Sequence, residues 1–182
     1  NIFIDPETPE EMMSDLFPEH FIKVLDAPTN YFGSQEIYVD DESNCLREIN
    51  DHNDILPIKH KIHEMPEILP PSLEKAVKTF ILVCAIRVLR GDAEETNSML
   101  VNVSRFTGIQ SAVRILIHIF LKEVTDSIKG NYALSTVEAL KNNHLSELHD
   151  LFKEEYSQVE FSWKEIQNVL NKAASKIDTI EV

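Results

Sequence analysis

The longest helical pattern in the chain begins at Ser72 and ends at Leu89. Its apolar residues cover nearly the whole circumference of a helix, which predicts that this helix is buried between layers. They are Val77, Phe80, Ile81, Val83, Cys84, Ile86 and Leu89. Ser72 is expected to cap the start, and Gly91 to follow the end as a left-handed residue.

Three more helical regions follow in the sequence. Apolar residues at helical spacing predict a helix over about 107–127 and a helical region over 137–152. Ser162 and Glu165 have the spacing of a capping box, which predicts a last helix to about Lys176.

Two β-prone runs accompany these helices. Residues 98–103 have the apolar continuity of an interior strand. Along residues 177–182, apolar and polar side chains alternate as they do in a strand. We expect the two runs to be parallel strands, joined through the helices by a right-handed crossover. The predicted fold class is α/β and helix-rich, with a small, partly parallel sheet.

Prolines and polar residues interrupt the first third of the chain. A capping signal at Thr8 predicts a short helix that ends before Pro18, and residues 20–63 are expected to form strands or turns and then a mobile surface loop. We therefore predict two regions: an irregular amino-terminal linker with one short helix, 1–66, and a helix-rich α/β unit, 67–182. Both chain ends look like cut strands, so a piece of a longer protein is expected.

Composition restricts the partners that this chain is expected to have. With 182 residues, 43% of them hydrophobic, it can bury one substantial core. A net charge of −14 and a pI near 4.8 oppose general adhesion to nucleic acid or anionic membrane, so any nucleic-acid contact must be local. Cys45 and Cys84 are too few for a disulfide framework, and the apolar run 80–86 is too short to cross a bilayer. A cytoplasmic protein without a membrane partner is the expectation.

The strongest candidate site follows residues 98–103. Ser104 and Thr107 offer hydroxyls and Arg105 a guanidinium at a strand end and a helix amino terminus, which together suit a phosphate. Gln110 would lie one turn into the helix. Equally weighted is a structural interpretation, in which the helix is simply capped and Arg105 pairs with a nearby acid.

Other chemistry is less well supported by the sequence. The acidic run 40–42 imitates a magnesium-binding acidic box, but no glycine precedes a Lys-Ser/Thr pair as in a phosphate loop. His60 and His63 could be metal ligands, although the prolines on both sides disfavour a regular helix there. No Asp-x-Lys or Glu-x-Lys occurs, so the usual metal-dependent restriction nuclease motif is absent. No catalytic residue, cofactor or metal ligand is assigned to this chain.

Several short blocks in order resemble a known family. They are Leu69-Pro70-Pro71-Ser72-Leu73, Ala85-Ile86-Arg87 with Arg90-Gly91, Asn97-Ser98-Met99-Leu100 and Val103-Ser104-Arg105-Phe106-Thr107, with Asp5-Pro6, Leu16-Phe17-Pro18, Phe21-Ile22 and Asn30-Tyr31-Phe32-Gly33 before them. Over roughly the first two thirds, the chain resembles the endonuclease "Z-one" domain that is found with superfamily-two helicase modules in bacterial restriction-modification-like systems.

The resemblance implies a place inside a motor protein. The strand before Ser104 and Arg105 would resemble the first strand of a second RecA-like motor domain, and the phosphate loop would precede Asn1. ATP and Mg²⁺ would then be cofactors of the parent protein, and DNA would be its partner. Where the family commonly has histidine before Val-Ser-Arg, this chain has Asn102.

These observations lead to one expected function and two alternatives. The expected function is a fragment of an ATP-dependent DNA-processing protein that contacts nucleic-acid phosphates through Ser104, Arg105, Thr107 and Gln110 and is not catalytic alone. A first alternative is an acidic interaction module that docks a partner subunit. A second is a metal nuclease that uses His60, His63 and nearby acids.

Overall fold

The computed structural model describes residues 33, 37, 38 and 45–181. The chain forms two compact units, Asn1–Glu48 and Ile49–Val182. Within the described part of the second unit there are five α-helices: α1 Pro71–Leu89, α2 Thr107–Asn131, α3 Thr136–Ala139, α4 Asn143–Glu155 and α5 Trp163–Ala174. The short helix predicted before Pro18 and the acidic run 40–42 lie outside the described residues.

The core of the second unit lies where four helices meet. Helices α1 and α5 make the most extensive contact, and α2 and α4 pack against them. The largest fully buried apolar side chains come from all four helices: Ile81, Leu82, Ile109, Val124, Ile128, Leu145, Leu148, Ile166 and Leu170. Full burial of each of these side chains stabilises the fold by about 1.5–3 kcal/mol relative to exposure. The prediction that α1 is buried on most of its circumference is confirmed.

Helix α1 begins two residues earlier than the sequence predicts, so Ser72 is not its N-cap. Pro70 holds the cap position, and the carboxylate of Asp51 supplies the acceptors instead. Asp51 Oδ2 accepts the Ser72 N–H at 2.7 Å, and Oδ1 accepts the Ser72 hydroxyl at 2.7 Å. These bonds favour the charged carboxylate and lower the pKa of Asp51.

The end of α1 agrees with the prediction. Gly91 has a φ of +99°, which glycine adopts without the steric penalty of a side chain. Its N–H donates to Val88 C=O at 3.3 Å, and the Asp92 N–H donates to Arg87 C=O at 3.0 Å. This pair of bonds is a Schellman motif, and it ends the helix.

The predicted sheet is wrong. Among the described residues there is no strand, and residues 98–103 and 177–181 are irregular segments. No backbone hydrogen bond joins the two segments in the described part of the chain. Residues 177–181 are held through side chains instead: Ser111 donates to Glu181 Oε1 at 2.6 Å, and His118 Nδ1 lies 3.1 Å from Thr179 Oγ1. The described part of the fold is therefore helical, and its likeness to a RecA-like sheet is not supported.

The remaining helix predictions hold with shifted boundaries. Helix α2 continues to Asn131, and the region 137–152 divides into α3 and α4 because Asn142 caps a new start by accepting the Leu145 N–H at 3.3 Å. The capping box of α5 is confirmed, with the Ser162 N–H donating to Glu165 Oε2 at 2.8 Å. Ile37 and Tyr38 are helical, although the sequence predicted strand or turn there.

Candidate functional site

The four predicted site residues lie together at the start of α2. Ser104 is buried, with 8% of its surface exposed, whereas Arg105 and Thr107 are exposed and Gln110 is half-buried. The segment before them is irregular rather than a strand, so the strand end expected there is absent. What places these side chains is the turn into α2.

The hydroxyl of Ser104 is engaged within the protein. His60 Nε2 lies 2.7 Å from Ser104 Oγ, and the Phe106 N–H donates to the same oxygen at 3.0 Å. His60 Nδ1 lies 2.7 Å from Pro57 C=O, which can only accept, so Nδ1 carries a proton. In the neutral ring Nε2 then accepts the Ser104 hydroxyl proton. Ser104 thus fastens the turn at 57–60 to the start of α2.

Gln110 also acts on the backbone of this turn. Its side-chain Nε2 donates to Ser104 C=O at 2.5 Å. Ser104 and Gln110 together fix the path of the chain at residues 104–106.

Arg105 is the exposed cation of the site. Its guanidinium carbon lies 4.9 Å from the centroid of the Phe106 ring, a cation–π distance. No carboxylate of the described residues forms an ion pair with it. The acid expected by the structural interpretation is therefore not found within the described part of the chain.

Helix α2 begins without a side-chain cap. Phe106 holds the cap position and offers no acceptor side chain. In the described part of the chain, the N–H groups of Thr107 and Gly108 have no hydrogen-bond partner. These first-turn N–H groups carry the partial positive charge of the 25-residue helix, and the exposed Thr107 lies beside them.

A concave pocket of about 790 Å³ joins Ser104, Arg105 and Gln110 to the turn at 57–60, whereas Thr107 and Gly108 are not among its described lining residues. The described residues that line it are Ile58, Lys59, His60, Asn102, Val103, Ser104, Arg105 and Gln110. None of them is a carboxylate, and two are permanent cations. The pocket is suited electrostatically to an anion. Sequence reasoning missed Lys59 and considered His60 only as a ligand of an alternative metal site, because nothing in the local pattern shows a contact across 44 residues.

The alternative metal site is not assembled in the described residues. No three His, Cys, Asp or Glu side chains there are grouped as metal ligands. Both ring nitrogens of His60 are hydrogen-bonded, and Glu64 accepts the Lys61 N–H at 2.8 Å. The geometry thus assigns His60 to the pocket described above.

A second, larger groove of about 970 Å³ adjoins this pocket, and Asn102, Val103 and Gln110 line both. Residues 93–103 and 176–181 line it together with apolar side chains of the helices, among them Phe80, Val113 and Ile117. Cys84 also lines this groove, and burial raises the pKa of its thiol. The groove contains none of the unpaired cations of the smaller pocket.

A comparison with known families finds a match to one family model. The model of the Z1 domain matches residues 72–182, which include α1 from its second residue, all of α2 to α5, and the site residues 104–110. The chain belongs to the Z1 domain family. The Z1 match begins after the turn at 57–60 and continues to the last residue, beyond the two thirds over which the sequence blocks showed the resemblance. No curated protein and no solved structure matches the chain.

One further observation concerns membranes. Among the described residues, no helix combines the length and the apolar character that a transmembrane span requires.

Proposed function

We propose that this Z1 domain is part of an ATP-dependent DNA-processing protein and contacts nucleic-acid phosphates at the start of α2. The observation that carries the proposal is Arg105, which is exposed and, within the described residues, unpaired with any acid. It lies beside the uncapped amino terminus of α2, in a pocket without a described carboxylate. A guanidinium and free backbone N–H groups are common phosphate ligands in nucleic-acid complexes.

The charge of the chain supports a local contact. At −14 the protein as a whole repels a polyanion, so a phosphate is expected only where cations are free of acid partners. Three other arginines lie within 4 Å of a carboxylate: Arg87 of Asp92 at 3.7 Å, Arg90 of Glu160 at 2.7 Å and Arg114 of Glu181 at 3.6 Å. Arg105 differs from these three arginines in the described part of the chain, where several exposed lysines, Lys122 among them, also form no ion pair.

We propose no catalysis by the chain itself. ATP hydrolysis in the parent protein would depend on a phosphate loop and Mg²⁺ supplied elsewhere, because no Gly-Lys-Ser/Thr sequence occurs in this chain. Restriction-associated endonuclease activity and a cytoplasmic, bacterial setting belong to the same proposal and rest on the family resemblance.

Binding of a fluorescein-labelled single-stranded oligonucleotide, measured by anisotropy at fixed salt, tests this function. Arg105→Ala is expected to weaken binding by about 10- to 150-fold, since a hydrogen bond to a charged group contributes about 1.5–3 kcal/mol and each 1.4 kcal/mol is a factor of about ten. Lys122→Ala is the control, because Lys122 is also exposed and has no ion pair among the described residues but lies in the middle of α2. Equal affinities of wild type and Arg105→Ala would refute the proposal.

A protein-interaction module that docks a partner subunit is the second candidate. The observation that favours it is the exposed apolar surface beside the larger groove, where Leu100 is 85% and Ile180 78% exposed. In the parent protein, Arg105→Ala separates the two candidates. Loss of DNA-stimulated ATP hydrolysis with unchanged melting supports phosphate contact, and unchanged hydrolysis supports the interaction module.

A further inference from the structure

We infer that Lys59 is a second phosphate-binding residue of the same pocket, and that His60 is the positioning residue that holds the turn carrying Lys59 at the pocket that Arg105 also lines. This inference rests on the proposed function and deepens it. It adds a turn that precedes α1 to a site so far built only from the start of α2.

Lys59 has the properties that a phosphate ligand needs. Its side chain is exposed and lines the pocket of about 790 Å³ together with Arg105. Among the described residues it forms no ion pair. A lysine ammonium that is free of carboxylates can approach a phosphate without first breaking an existing interaction.

His60 fixes the position of Lys59 through its two hydrogen bonds. One bond, to Pro57 C=O at 2.7 Å, closes the turn that contains Lys59, and the other, to Ser104 Oγ at 2.7 Å, attaches that turn to the start of α2. Because Ser104 is 8% exposed, this second bond is shielded from competing water.

The Phe106 ring contacts one residue from each of the two segments that line the pocket. The imidazole of His60 meets it edge-on at 5.8 Å between centroids, and the Arg105 guanidinium stacks on it at 4.9 Å. Aromatic contacts of this kind orient both partners. The same ring therefore restrains Arg105 and His60, the residue next to Lys59.

Two cations at one pocket without a described carboxylate favour a ligand with more than one negative charge. The chemical class is a phosphate compound: a run of phosphodiesters in a nucleic-acid strand, or a free nucleotide. The volume of about 790 Å³ accommodates more than a single phosphate group.

The salt dependence of oligonucleotide binding counts the phosphate contacts. For a single strand, each lost contact reduces the slope of log affinity against log salt by about 0.7. Lys59→Ala and Arg105→Ala are each expected to reduce the slope by about 0.7, and the double variant is expected to reduce it by about twice as much. Lys122→Ala should leave the slope unchanged. An unchanged slope in Lys59→Ala overturns the inference.

A double-mutant cycle tests the positioning role of His60. His60→Ala is expected to weaken binding and reduce the slope as Lys59→Ala does, and to add nothing further once Lys59 is alanine, because His60 acts through Lys59. Additive effects of the two substitutions would contradict this role. Far-ultraviolet circular dichroism checks that the helices of His60→Ala are intact. If they are not, the slope of Lys59→Ala, a substitution at an exposed side chain, decides alone.

Competition distinguishes the two phosphate sources and separates this inference from the proposed function. Displacement of the labelled strand by unlabelled oligonucleotide, but not by ATP at equal phosphate concentration, identifies the nucleic-acid backbone. Another outcome is that wild type binds labelled ATP but no oligonucleotide, and that Lys59→Ala weakens the binding of ATP. In that case the proposed function is wrong, and the inference that Lys59 binds phosphate is supported. If Arg105→Ala weakens oligonucleotide binding but Lys59→Ala does not, only the inference about Lys59 fails.

Discussion

The side chain of Ser104 has a different role from the one its sequence position suggests. A hydroxyl next to an arginine at a helix start is typical of a phosphate ligand, yet this hydroxyl accepts the Phe106 N–H and bonds His60. Arg105 and Thr107, in contrast, point away from the core and are exposed. At the scale of single residues, the site therefore divides into side chains that support the pocket and side chains that are available to a ligand.

Removal of the Ser104 hydroxyl should destabilise the protein. Ser104→Ala leaves the Phe106 N–H and His60 Nε2 without this partner, and the loss of such part-buried hydrogen bonds is expected to lower the free energy of unfolding by roughly 1–3 kcal/mol. Urea unfolding measures the free energy of unfolding of each variant. Ser157→Ala, at an exposed serine, is the matched control and should change the free energy of unfolding very little. Equal midpoints for the two variants would show that the bond to His60 contributes nothing.

Glu160 gives a pH dependence that can be measured. The Arg90 guanidinium donates to both of its oxygens, at 2.7 and 2.9 Å, and holds the pKa of Glu160 at about 2. Because this pKa lies below the ordinary value of 4.5, the interaction stabilises the fold above pH 4.5 and is lost as the pH falls through about 2. Glu160→Gln should therefore lose less stability than wild type between pH 5 and about 2 in urea titrations.

Glu67→Gln is a control at an exposed glutamate without an ion pair among the described residues. A parallel pH dependence of wild type and Glu160→Gln would contradict the role of this pair.

At the scale of elements, the prediction succeeded where the signals are local. Gly91 ends α1, and the Ser162–Glu165 capping box begins α5, because these motifs involve residues a few positions apart. The sheet failed because β-propensity reports only a suitable side-chain surface, whereas a strand needs a pairing partner that is distant in sequence. Residues 98–103 pack beside helices in the described structure without such a partner.

In the candidate site, too, the local groups could be predicted from the sequence and the contacts between distant residues could not. Ser104, Arg105, Thr107 and Gln110 could be grouped from sequence because they lie within seven consecutive positions. His60 and its neighbour Lys59 could not, since their contact with the start of α2 depends on tertiary packing.

Helix α5 is joined to the α2–α3 connection by a buried glutamine. Gln167 is 0% exposed, and its Nε2 donates to the C=O groups of Tyr132 and Leu134 at 3.0 and 2.9 Å, while Thr136 donates to its Oε1 at 3.1 Å. Gln167→Leu should lower the free energy of unfolding by roughly 1–3 kcal/mol, because it removes three part-buried hydrogen bonds, although Leu134 C=O still accepts from Lys164 Nζ at 3.0 Å. Gln158→Leu, at an exposed position, is the control for the same chemical change. Similar melting temperatures of the two variants would show that the buried network is dispensable.

The four-helix core makes a further prediction at this scale. Leu148→Ala removes a side chain that is 0% exposed and should lower the free energy of unfolding by about 2–5 kcal/mol through lost burial and the cavity that remains. Leu100→Ala deletes the same atoms from a side chain that is 85% exposed, so its expected effect is below about 0.5 kcal/mol. Chemical denaturation of both variants measures the difference. If Leu100→Ala were as destabilising as Leu148→Ala, the assignment of the core would be wrong.

At the scale of the whole molecule, the distribution of charge matters more than its sum. A net charge of −14 would by itself argue against contact with nucleic acid. The pocket at the start of α2 is an exception, because Lys59 and Arg105 meet there without a described carboxylate. A protein of this kind is expected to bind a phosphate backbone at one place and to be repelled elsewhere, so its orientation on a strand would be well defined.

An NMR titration of the ¹⁵N-labelled chain with a short single-stranded oligonucleotide tests phosphate binding at this pocket most directly. We expect the largest amide shift changes at Lys59, His60, Arg105, Thr107 and Gly108, with little change at Leu100 and Ile180 beside the larger groove. Arg105→Ala should reduce these changes at equal oligonucleotide concentration. Changes confined to the groove, or no saturable change at the pocket, would contradict phosphate binding at the start of α2.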